Sequence, residues 1–322
     1  CSALVLLVIL CIGGVSFLLK KHRRANAFHI DDDSVCLITG AANGIGKEMA
    51  LEFAKRQKAA TLVLVDLRSE GFSELREEIE SINSNLRLIT YQCDVSDKSM
   101  VHQLKEKLIG DGIKQPVNLL INNAGIVMGR TFSDLSDEQM ERTIKVNVFS
   151  HFYFLHTFLP DMISAKRRRS QIVSIASMMG YCPAVGLTDY VASKHAVVGF
   201  HDSIRLELRK LNAHHVRTLL VCPFAIQTGM FSGLQTALTF IFPHLVPHQV
   251  AKDVLSAVDQ GLPRIVLPYL GNWTIAIVKL LPVELADWVF EVVGGRHGMD
   301  KFKGRGINFA MQQLENHQKK IN

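Results

Sequence analysis

The stretch SVCLITGAANGIGKEMALEFAKRQ, residues 34–57, decides the fold. Its first part, SVCLITG (34–40), is a short apolar run that ends in glycine, which is typical of a buried strand. Its last part, GIGKEMALEFAKRQ (44–57), has the apolar spacing of a helix. Glycines in a strand-to-helix turn let the backbone approach a phosphate, which the helix N-terminus attracts. TGAANGIG (39–46) therefore predicts either a phosphate-binding turn or merely a tight turn, and its glycine spacing differs from GxGxxG.

Short apolar runs then alternate with amphipathic segments as far as about residue 268. The runs that predict strands lie at 61–66, 86–95, 117–125, 171–177, 216–223 and 263–268. The segments that predict helices lie at 73–83, 99–109, 137–163 and 188–210. Because strands that alternate with helices are joined by right-handed crossovers, the sheet should be mostly parallel. We predict one α/β domain with a doubly wound, Rossmann-type sheet that binds ligands at the carboxyl ends of its strands.

The composition excludes several classes of protein. With 322 residues, 48% hydrophobic and 20% charged, the chain can fold around a substantial core. The net charge of +6 is concentrated in KKHRR (20–24) and KRRR (166–169), and neither run is interleaved with aromatic residues, so no nucleic-acid partner is expected. None of the six cysteines forms a CxxC pair, so we predict no metal site and reduced thiols in a domain that faces the cytosol.

The N-terminus predicts a membrane anchor. ALVLLVILCIGGVSFLL (3–19) carries no charge, and KKHRR follows it at once, so the basic flank and the rest of the chain should face the cytoplasm. The alternatives to an uncleaved signal-anchor are a hairpin or lipid-droplet anchor and a cleaved signal peptide. The expected location is thus the endoplasmic reticulum membrane or a lipid droplet.

A second apolar segment, LGNWTIAIVKLLPVELADWVFEVVGG (270–295), is interrupted by charges and a proline and makes a poor transmembrane helix. It could contact a membrane, pack on the core or meet an oligomer partner. The predicted organisation is an anchor with its basic flank at 1–24, a Rossmann domain at 34–268, and an apolar segment with a polar tail at 269–322.

Polar residues stand where the predicted strands end. Asp66, 20 residues after Gly46, could accept hydrogen bonds from an adenosine ribose and would repel a 2′-phosphate, which favours NAD over NADP. Arg68 nearby weakens that inference, and a helix N-cap is the alternative role for Asp66. Asp94 is placed to meet the adenine edge, and NNAG (122–125) brings a glycine where the backbone must pass a ligand.

DYVASKHAV (189–197) places a tyrosine and a lysine on one face of a predicted helix. Tyr190 and Lys194 are four residues apart, and a neighbouring ammonium favours the phenolate form of a tyrosine. The alternative is an ordinary helix pair. Ser177 ends the fifth strand, where its hydroxyl could bond a substrate oxygen, and Asn147 lies within the long helical region, which an asparagine often bends.

These motifs together resemble the short-chain dehydrogenase/reductase family over roughly 34–268. The resemblance rests on TGxxxGIG (39–46), NNAG (122–125), Asn147, Ser177 and YxxxK (190–194), all in order. It implies that Tyr190 is the catalytic acid/base and that Lys194 lowers the Tyr190 pKa and holds the nicotinamide ribose. It also implies that Ser177 positions the substrate oxygen and that Asn147 holds a water in the proton relay. The cofactor-binding residues that it implies are Gly40, Asn43, Gly44, Ile45, Gly46, Asp66, Asp94, Val95, Asn123, Ala124, Gly125, Tyr190, Lys194, Pro223 and Thr228. The implied cofactor is NAD, with NADP less favoured, and the implied oligomer is a homodimer.

Two further stretches narrow the resemblance. INNAGIVMGRTF (121–132) and CPFAIQTGMF (222–231) are similar to the membrane-associated branch that holds epidermal-type retinol dehydrogenases and 17β-hydroxysteroid dehydrogenases 11 and 13. Phe224 stands where the family usually has glycine, which puts the geometry of that loop in doubt.

The substrate is expected to be lipophilic. FSGLQTALTFIFPHLVP (231–247) is apolar and would either cover a substrate or pack in a core or dimer. Retinol is the first expectation, followed by a steroid or a long-chain alcohol. The alternatives are an NADPH-dependent carbonyl reductase that acts on a ketone or retinal, and a non-catalytic lipid-droplet binding protein.

Overall fold

The structure is a computed structural model that describes residues 28, 31, 33–57, 60–235, 243–292 and 295–304. The predicted anchor at 1–24 lies outside these residues. Across the part of the chain that is described, no helix combines the length and the apolar character needed to cross a membrane.

A seven-stranded sheet forms the centre of the domain. Its strands are β1 (Val35–Thr39), β2 (Thr61–Asp66), β3 (Arg87–Gln92), β4 (Leu119–Asn122), β5 (Ser170–Ile175), β6 (Val216–Pro223) and β7 (Arg264–Leu267). Every pairing is parallel and the spatial order is β3-β2-β1-β4-β5-β6-β7. The predicted doubly wound parallel sheet is confirmed, and its order reverses between β1 and β4, where Leu37 pairs with Leu120.

Helices cover both faces of the sheet. They are α1 (Gly44–Arg56), α2 (Phe72–Ile82), α3 (Lys98–Gly110), α4 (Asp137–Ile144), α5 (Ser150–Ser164), α6 (Thr188–Lys210), α7 (Pro247–Asp259), α8 (Gly271–Val278) and α9 (Val283–Val292). Residues from α1, α2 and α7, such as Phe53 and Val254, share one core with β1 and β2. Residues from α3 and α5, such as Leu104 and Phe154, form a second core on the other face. Because both faces are covered, β1, β4 and β5 are buried along their whole length.

The long helical region predicted at 137–163 is interrupted. Ser136 and Gln139 form a capping box that starts α4. Residues Lys145–Phe149 then form a π-helical turn before α5 begins. One-turn π-helical segments inside α-helices frequently occur at functional sites, and this one carries Asn147.

The apolar segment after β7 forms two short helices instead of one long one. At the start of α8, a Cβ on Gly271 would lie 2.8 Å from a Val266 methyl and 3.0 Å from the Met178 sulfur, so the backbone here packs directly on the core. Ile275 is buried one turn later, but none of the described residues of α9 is buried.

Candidate active site

A cleft of about 470 Å³ opens at the carboxyl ends of the strands, where the sheet order reverses. Fifteen of the predicted site residues line it: Gly40, Asn43, Gly44, Ile45, Asp66, Asp94, Val95, Asn123, Ala124, Gly125, Ser177, Tyr190, Lys194, Pro223 and Thr228. Gly46 and Asn147 are buried beside the cleft without lining it.

The glycine turn after β1 is held against the start of the loop that follows β4. Gly40 has a φ of +63°, and a Cβ there would lie 2.9 Å from the Cα of Ala124. A Cβ on Gly46 would lie 2.0 Å from the carbonyl oxygen of Gly40, so a side chain at this position must displace the turn. The two glycines thus allow the close backbone approach that the spacing predicts.

The first turn of α1 faces the cleft and suits an anionic group. Its N-cap residue, Asn43, makes no side-chain capping bond, and the turn contains no acidic residue. The backbone N–H groups of a helix N-terminus are donors without partners within the helix, and the helix dipole favours negative charge there. A dinucleotide pyrophosphate therefore fits this position.

Asp66 ends β2 at the edge of the cleft. Its two carboxylate oxygens accept hydrogen bonds from the backbone N–H groups of Ala42 and Arg68, each at 3.0 Å. The carboxylate is therefore fixed in orientation, with negative charge directed at the cleft. It does not cap α2, whose N-cap residue is Gly71.

Asp94 is joined to a residue that the sequence analysis did not single out. Arg142 of α4 donates to the Asp94 carboxylate at 3.0 Å, and the same guanidinium lines the cleft. The other carboxylate oxygen accepts from the backbone N–H and hydroxyl of Ser96. The capping pattern SDEQ (136–139) predicts where α4 begins, but only the tertiary fold brings its arginine to the end of β3.

Two asparagines hold the loop after β4. The Asn123 side chain donates to the carbonyl oxygens of Thr39, at 2.8 Å, and Gly40, at 3.1 Å. Asn147 is fully buried; its amide oxygen accepts from the Ile126 N–H at 2.8 Å, and its amide nitrogen donates to the Ile126 carbonyl at 2.9 Å. It also donates to the hydroxyl of Ser193 on α6. The Asn147 amide thus ties the β4 loop to the helix that carries Tyr190.

Ser177, Tyr190 and Lys194 converge at the inner end of the cleft. All three are buried, and the Ser177 hydroxyl, which donates to the Pro223 carbonyl oxygen at 3.3 Å, lies near enough to the Tyr190 phenol to favour its ionised form. The Lys194 ammonium lies 5.5 Å from the centre of the Tyr190 ring and donates to the carbonyl oxygen of Ile175 at 2.9 Å. A Cβ on Gly125 would lie 3.7 Å from the same ammonium, so this group borders the backbone loop after β4.

The charge states of Lys194 and Tyr190 differ in part from those that the sequence predicts. Burial lowers the pKa of Lys194 to about 8, which still leaves the ammonium charged at neutral pH. Burial also raises the pKa of Tyr190 well above its usual value, and the nearby Ser177 hydroxyl only partly opposes the shift. Desolvation thus outweighs the lowering of the Tyr190 pKa that was expected from Lys194. Tyr190 is therefore protonated at neutral pH, and nearby positive charge would favour its ionised form.

An apolar wall stands beside Ser177, Tyr190 and Lys194. Phe231 meets the Tyr190 ring edge-on with 5.9 Å between ring centres, so the apolar stretch that begins at 231 reaches this part of the cleft. Residues 236–242 of that stretch lie outside the described residues. Met299 and Phe302, far along the chain, pack against the same cluster, which consists of Val127, Leu187 and Tyr190. Neither periodicity nor a motif marks these two residues, so the sequence alone does not reveal them.

The segment 295–304 is held in place by backbone bonds and close contacts. Gln235 donates its backbone N–H to Gly298, and Lys303 donates to Ser232. Gly129, with a φ of +66°, leaves the space that the Phe302 ring fills, since a Cβ there would lie 2.1 Å from the ring. The wall is therefore built jointly from the loop after β6 and the C-terminal segment.

Comparisons with known proteins agree with this architecture. The short chain dehydrogenase family matches residues 34–238. The chain belongs to this family. It is 34% identical over 294 residues to retinol dehydrogenase 10-B of Danio rerio, covering 84% of this chain and 85% of the relative. It is 34% identical over 271 residues to human epidermal retinol dehydrogenase 2, covering 83% and 84%.

The fold of this short chain dehydrogenase also matches solved structures. A short-chain dehydrogenase/reductase from Burkholderia phymatum in complex with NAD superposes with a TM-score of 0.68 at 24% identity, covering 78% of this chain and 95% of that one. The family and the relatives support an NAD(P)-dependent alcohol oxidoreductase, and NAD is consistent with the family.

Phe224, the departure from the family pattern, does not open the loop after β6. Its backbone N–H donates to the Leu267 carbonyl at 2.7 Å, and its side chain packs against the buried cluster that includes Leu220 and Cys222. Thr228 still lines the cleft four residues later.

Two histidines of this short chain dehydrogenase, His151 and His201, are buried outside the cleft. Neither ring nitrogen of His151 has a hydrogen-bond partner, and burial, followed by the nearby Lys194 charge, lowers its pKa to about 3. His201 contacts the Ser174 hydroxyl at 2.9 Å, and burial lowers its pKa to about 4. Both rings are therefore neutral at physiological pH, and neither adds positive charge beside Lys194.

We expect these histidines to make the folded protein acid-sensitive. Between pH 6.5 and about 4 the unfolded chain binds protons at both positions and the folded chain does not, so the free energy of unfolding should fall as pH falls. The expected loss is about 1 kcal/mol per pH unit for each histidine. Urea unfolding followed by circular dichroism in detergent at pH 5, 6 and 7 measures it.

His151→Leu should roughly halve this pH dependence, whereas the exposed His214→Gln should leave it unchanged. An unaltered slope in His151→Leu would show that His151 is not kept neutral by the fold.

Proposed function

We propose that this chain is a membrane-anchored, NAD-dependent dehydrogenase that oxidises a lipophilic alcohol, with retinol as the first candidate. The observation that carries the proposal is the convergence of Ser177, Tyr190 and Lys194 against an apolar wall, at the end of a cleft that suits a dinucleotide. The retinol dehydrogenases among the relatives support the choice of substrate class.

The proposed roles follow from the positions of the polar atoms. The Ser177 hydroxyl holds the substrate oxygen beside the Tyr190 phenol, and Tyr190 in its deprotonated form takes the hydroxyl proton as general base. The bound nicotinamide would supply the hydride-accepting chemistry and the positive charge that lowers the Tyr190 pKa. Lys194 keeps its ammonium beside the phenol and holds the ribose, while Asn147 fixes the loop and carries the proposed relay water.

Other residues of the cleft would hold the rest of the cofactor. The first turn of α1 would hold the pyrophosphate, and Asp66 would accept hydrogen bonds from the adenosine ribose. Asp94 and Val95 would border the adenine, with Pro223 and Thr228 near the nicotinamide. In the described part of the chain, no group of three His, Cys, Asp or Glu side chains could hold a metal ion.

Asp66→Asn tests the choice of NAD. The amide keeps an oxygen that can accept from the Ala42 N–H but removes the charge that repels a 2′-phosphate. A hydrogen bond to a charged group is worth about 1.5–3 kcal/mol, so the ratio of kcat/KM with NAD to kcat/KM with NADP should fall about tenfold or more. The exposed Asp134→Asn is the control. A ratio that stays constant would remove Asp66 from cofactor selection.

The anchor and the oligomer complete the proposal. The uncharged stretch 3–19 and its basic flank would hold the chain at the endoplasmic reticulum membrane or a lipid droplet, with the catalytic domain in the cytosol. A homodimer is supported by an exposed aromatic face at the start of α5. Phe149, the last residue of the π-helical turn, stacks on Tyr153, and Phe152 stacks on Phe200 of α6.

The deciding experiment measures turnover by membranes that contain the protein. All-trans-retinol, estradiol and a long-chain alcohol are each supplied with NAD or NADP, and reduced cofactor and the carbonyl product are both quantified. Retinal formed with NAD supports the proposal. Turnover with NADP only would favour a reductase, and cofactor binding without any turnover would favour a lipid-binding protein.

A further inference from the structure

The surface formed by residues 269–292 is unusually apolar for an exposed part of a protein. Half of the large hydrophobic side chains that the described residues expose lie in it: Tyr269, Leu270, Trp273, Ile277, Leu280, Val283, Leu285, Trp288 and Val292. The chain has two tryptophans, and both are here, with 70% of Trp273 and 60% of Trp288 exposed. Contiguous apolar surface of this kind marks a binding surface.

The exposed side chains follow helical faces. Leu270, Trp273, Ile277 and Leu280 are spaced three, four and three residues apart, so they form one stripe along α8. The opposite side of α8 holds the buried Ile275, which fixes the helix to the core with the stripe outward.

α9 also has an apolar face, and a charged face lies next to it. Leu285, Trp288 and Val292 form an apolar stripe, while the exposed carboxylates of Glu284, Asp287 and Glu291 form a stripe beside it. A helix with one apolar and one charged face is suited to lie along the boundary between lipid and water. The carboxylates favour a zwitterionic lipid surface, which has no net charge, over an anionic one.

The residues at the edge of the surface formed by 269–292 also suit the boundary between lipid and water. Tryptophan and tyrosine are enriched at membrane interfaces because each has an apolar body and a polar edge. Lys279 and Arg264 stack on the ring of Tyr181, 4.9 and 5.8 Å from its centre, which places two cations beside α8. Long cationic side chains can keep their charge at the level of lipid phosphates while their stems lie along apolar surface.

We infer that α8 and α9 lie in the interface of a phospholipid membrane, as a contact separate from the anchor at 3–19. The contact adds to the proposed function because α9 leads within a few residues to Met299 and Phe302, which form the substrate wall. A lipophilic substrate would then enter beside lipid instead of crossing water.

Tryptophan fluorescence tests this directly, since Trp273 and Trp288 are the only tryptophans of the chain. The full chain is reconstituted in phosphatidylcholine vesicles, with and without acyl chains brominated near the headgroup, and co-sedimentation confirms that it is bound. We expect a blue-shifted emission in vesicles and quenching by the brominated lipid.

A matched pair of variants identifies the surface. Leu280→Asp should shift the equilibrium of α8 and α9 about tenfold from the lipid-bound towards the unbound state, and so reduce the quenching. A leucine that is buried in lipid contributes about that factor to binding. Leu211→Asp alters a comparably exposed leucine elsewhere and should leave the quenching unchanged.

Three results would overturn the inference. Unquenched tryptophans in protein that co-sediments would mean that the anchor alone holds the chain. A blue shift that needs no lipid and disappears on dilution would assign the surface to a second copy. Equal quenching in both variants would place the contact elsewhere. Failure of the proposed function would appear separately, as absent turnover of retinol.

Discussion

Tyr190→Phe is expected to lower kcat for alcohol oxidation by about 10²–10⁴-fold, the range typical of a lost general acid or base. The substitution removes the phenol oxygen and keeps the ring, so the edge-on contact with Phe231 is retained. Cofactor binding should change little, because Lys194 keeps its hydrogen bond to the Ile175 carbonyl. Stopped-flow and steady-state rates, together with titration of NADH binding by fluorescence, separate the chemical step from binding.

Tyr153→Phe is the matched control, because it removes one hydroxyl from α5 outside the cleft. If Tyr190→Phe retained more than about a tenth of the rate, the phenol would not be the group that moves the proton. If both binding and rate were lost, the phenol would be needed for the shape of the site instead.

Gly46→Ala should weaken cofactor binding. The new Cβ would lie 2.0 Å from the Gly40 carbonyl oxygen and 2.7 Å from the Asn123 amide nitrogen, so the turn between β1 and α1 must move. Forced overpacking typically costs about 1–3 kcal/mol, which corresponds to a loss of affinity of about fivefold to more than 100-fold. Calorimetric titration with NAD and the urea midpoint both report the change.

Gly110→Ala is the control for this substitution, since a Cβ there, at the end of α3, would meet nothing within 4 Å. It should bind NAD as the wild type does and be slightly more stable, because alanine favours the helix. Normal NAD affinity in Gly46→Ala would mean that the turn can yield without leaving the phosphate position.

The sequence predicts the sheet well because the strands of a covered parallel sheet are continuous apolar runs. Each predicted strand, including 263–268, is present within a few residues, and the glycine turn lies where its spacing places it. Asn147 indicates a bend in the long helical region, but not that it takes the form of a π-helical turn at Lys145–Phe149, where the Asn147 side chain bonds the backbone of Ile126 across the fold.

The site could be predicted in its motifs but not in its surroundings. YxxxK places Tyr190 and Lys194 together through helical geometry alone, yet the desolvation that raises the Tyr190 pKa depends on residues from several elements. Arg142, Met299 and Phe302 reach the site only through tertiary folding, so no local pattern reveals them. The roles proposed for the site residues, the domain limits and the anchor stay predictions.

The position of segment 295–304 affects how far the chain can be shortened without exposing the site. The family match ends at 238 and the sheet ends at Leu267, so either limit would be a natural place to shorten the chain. A version cut there would keep every residue of the family motifs but lose Met299 and Phe302, exposing to water part of the cluster that contains Val127 and Tyr190. The part of the chain that shields Tyr190 therefore includes Phe302, well beyond the sheet that carries the motifs.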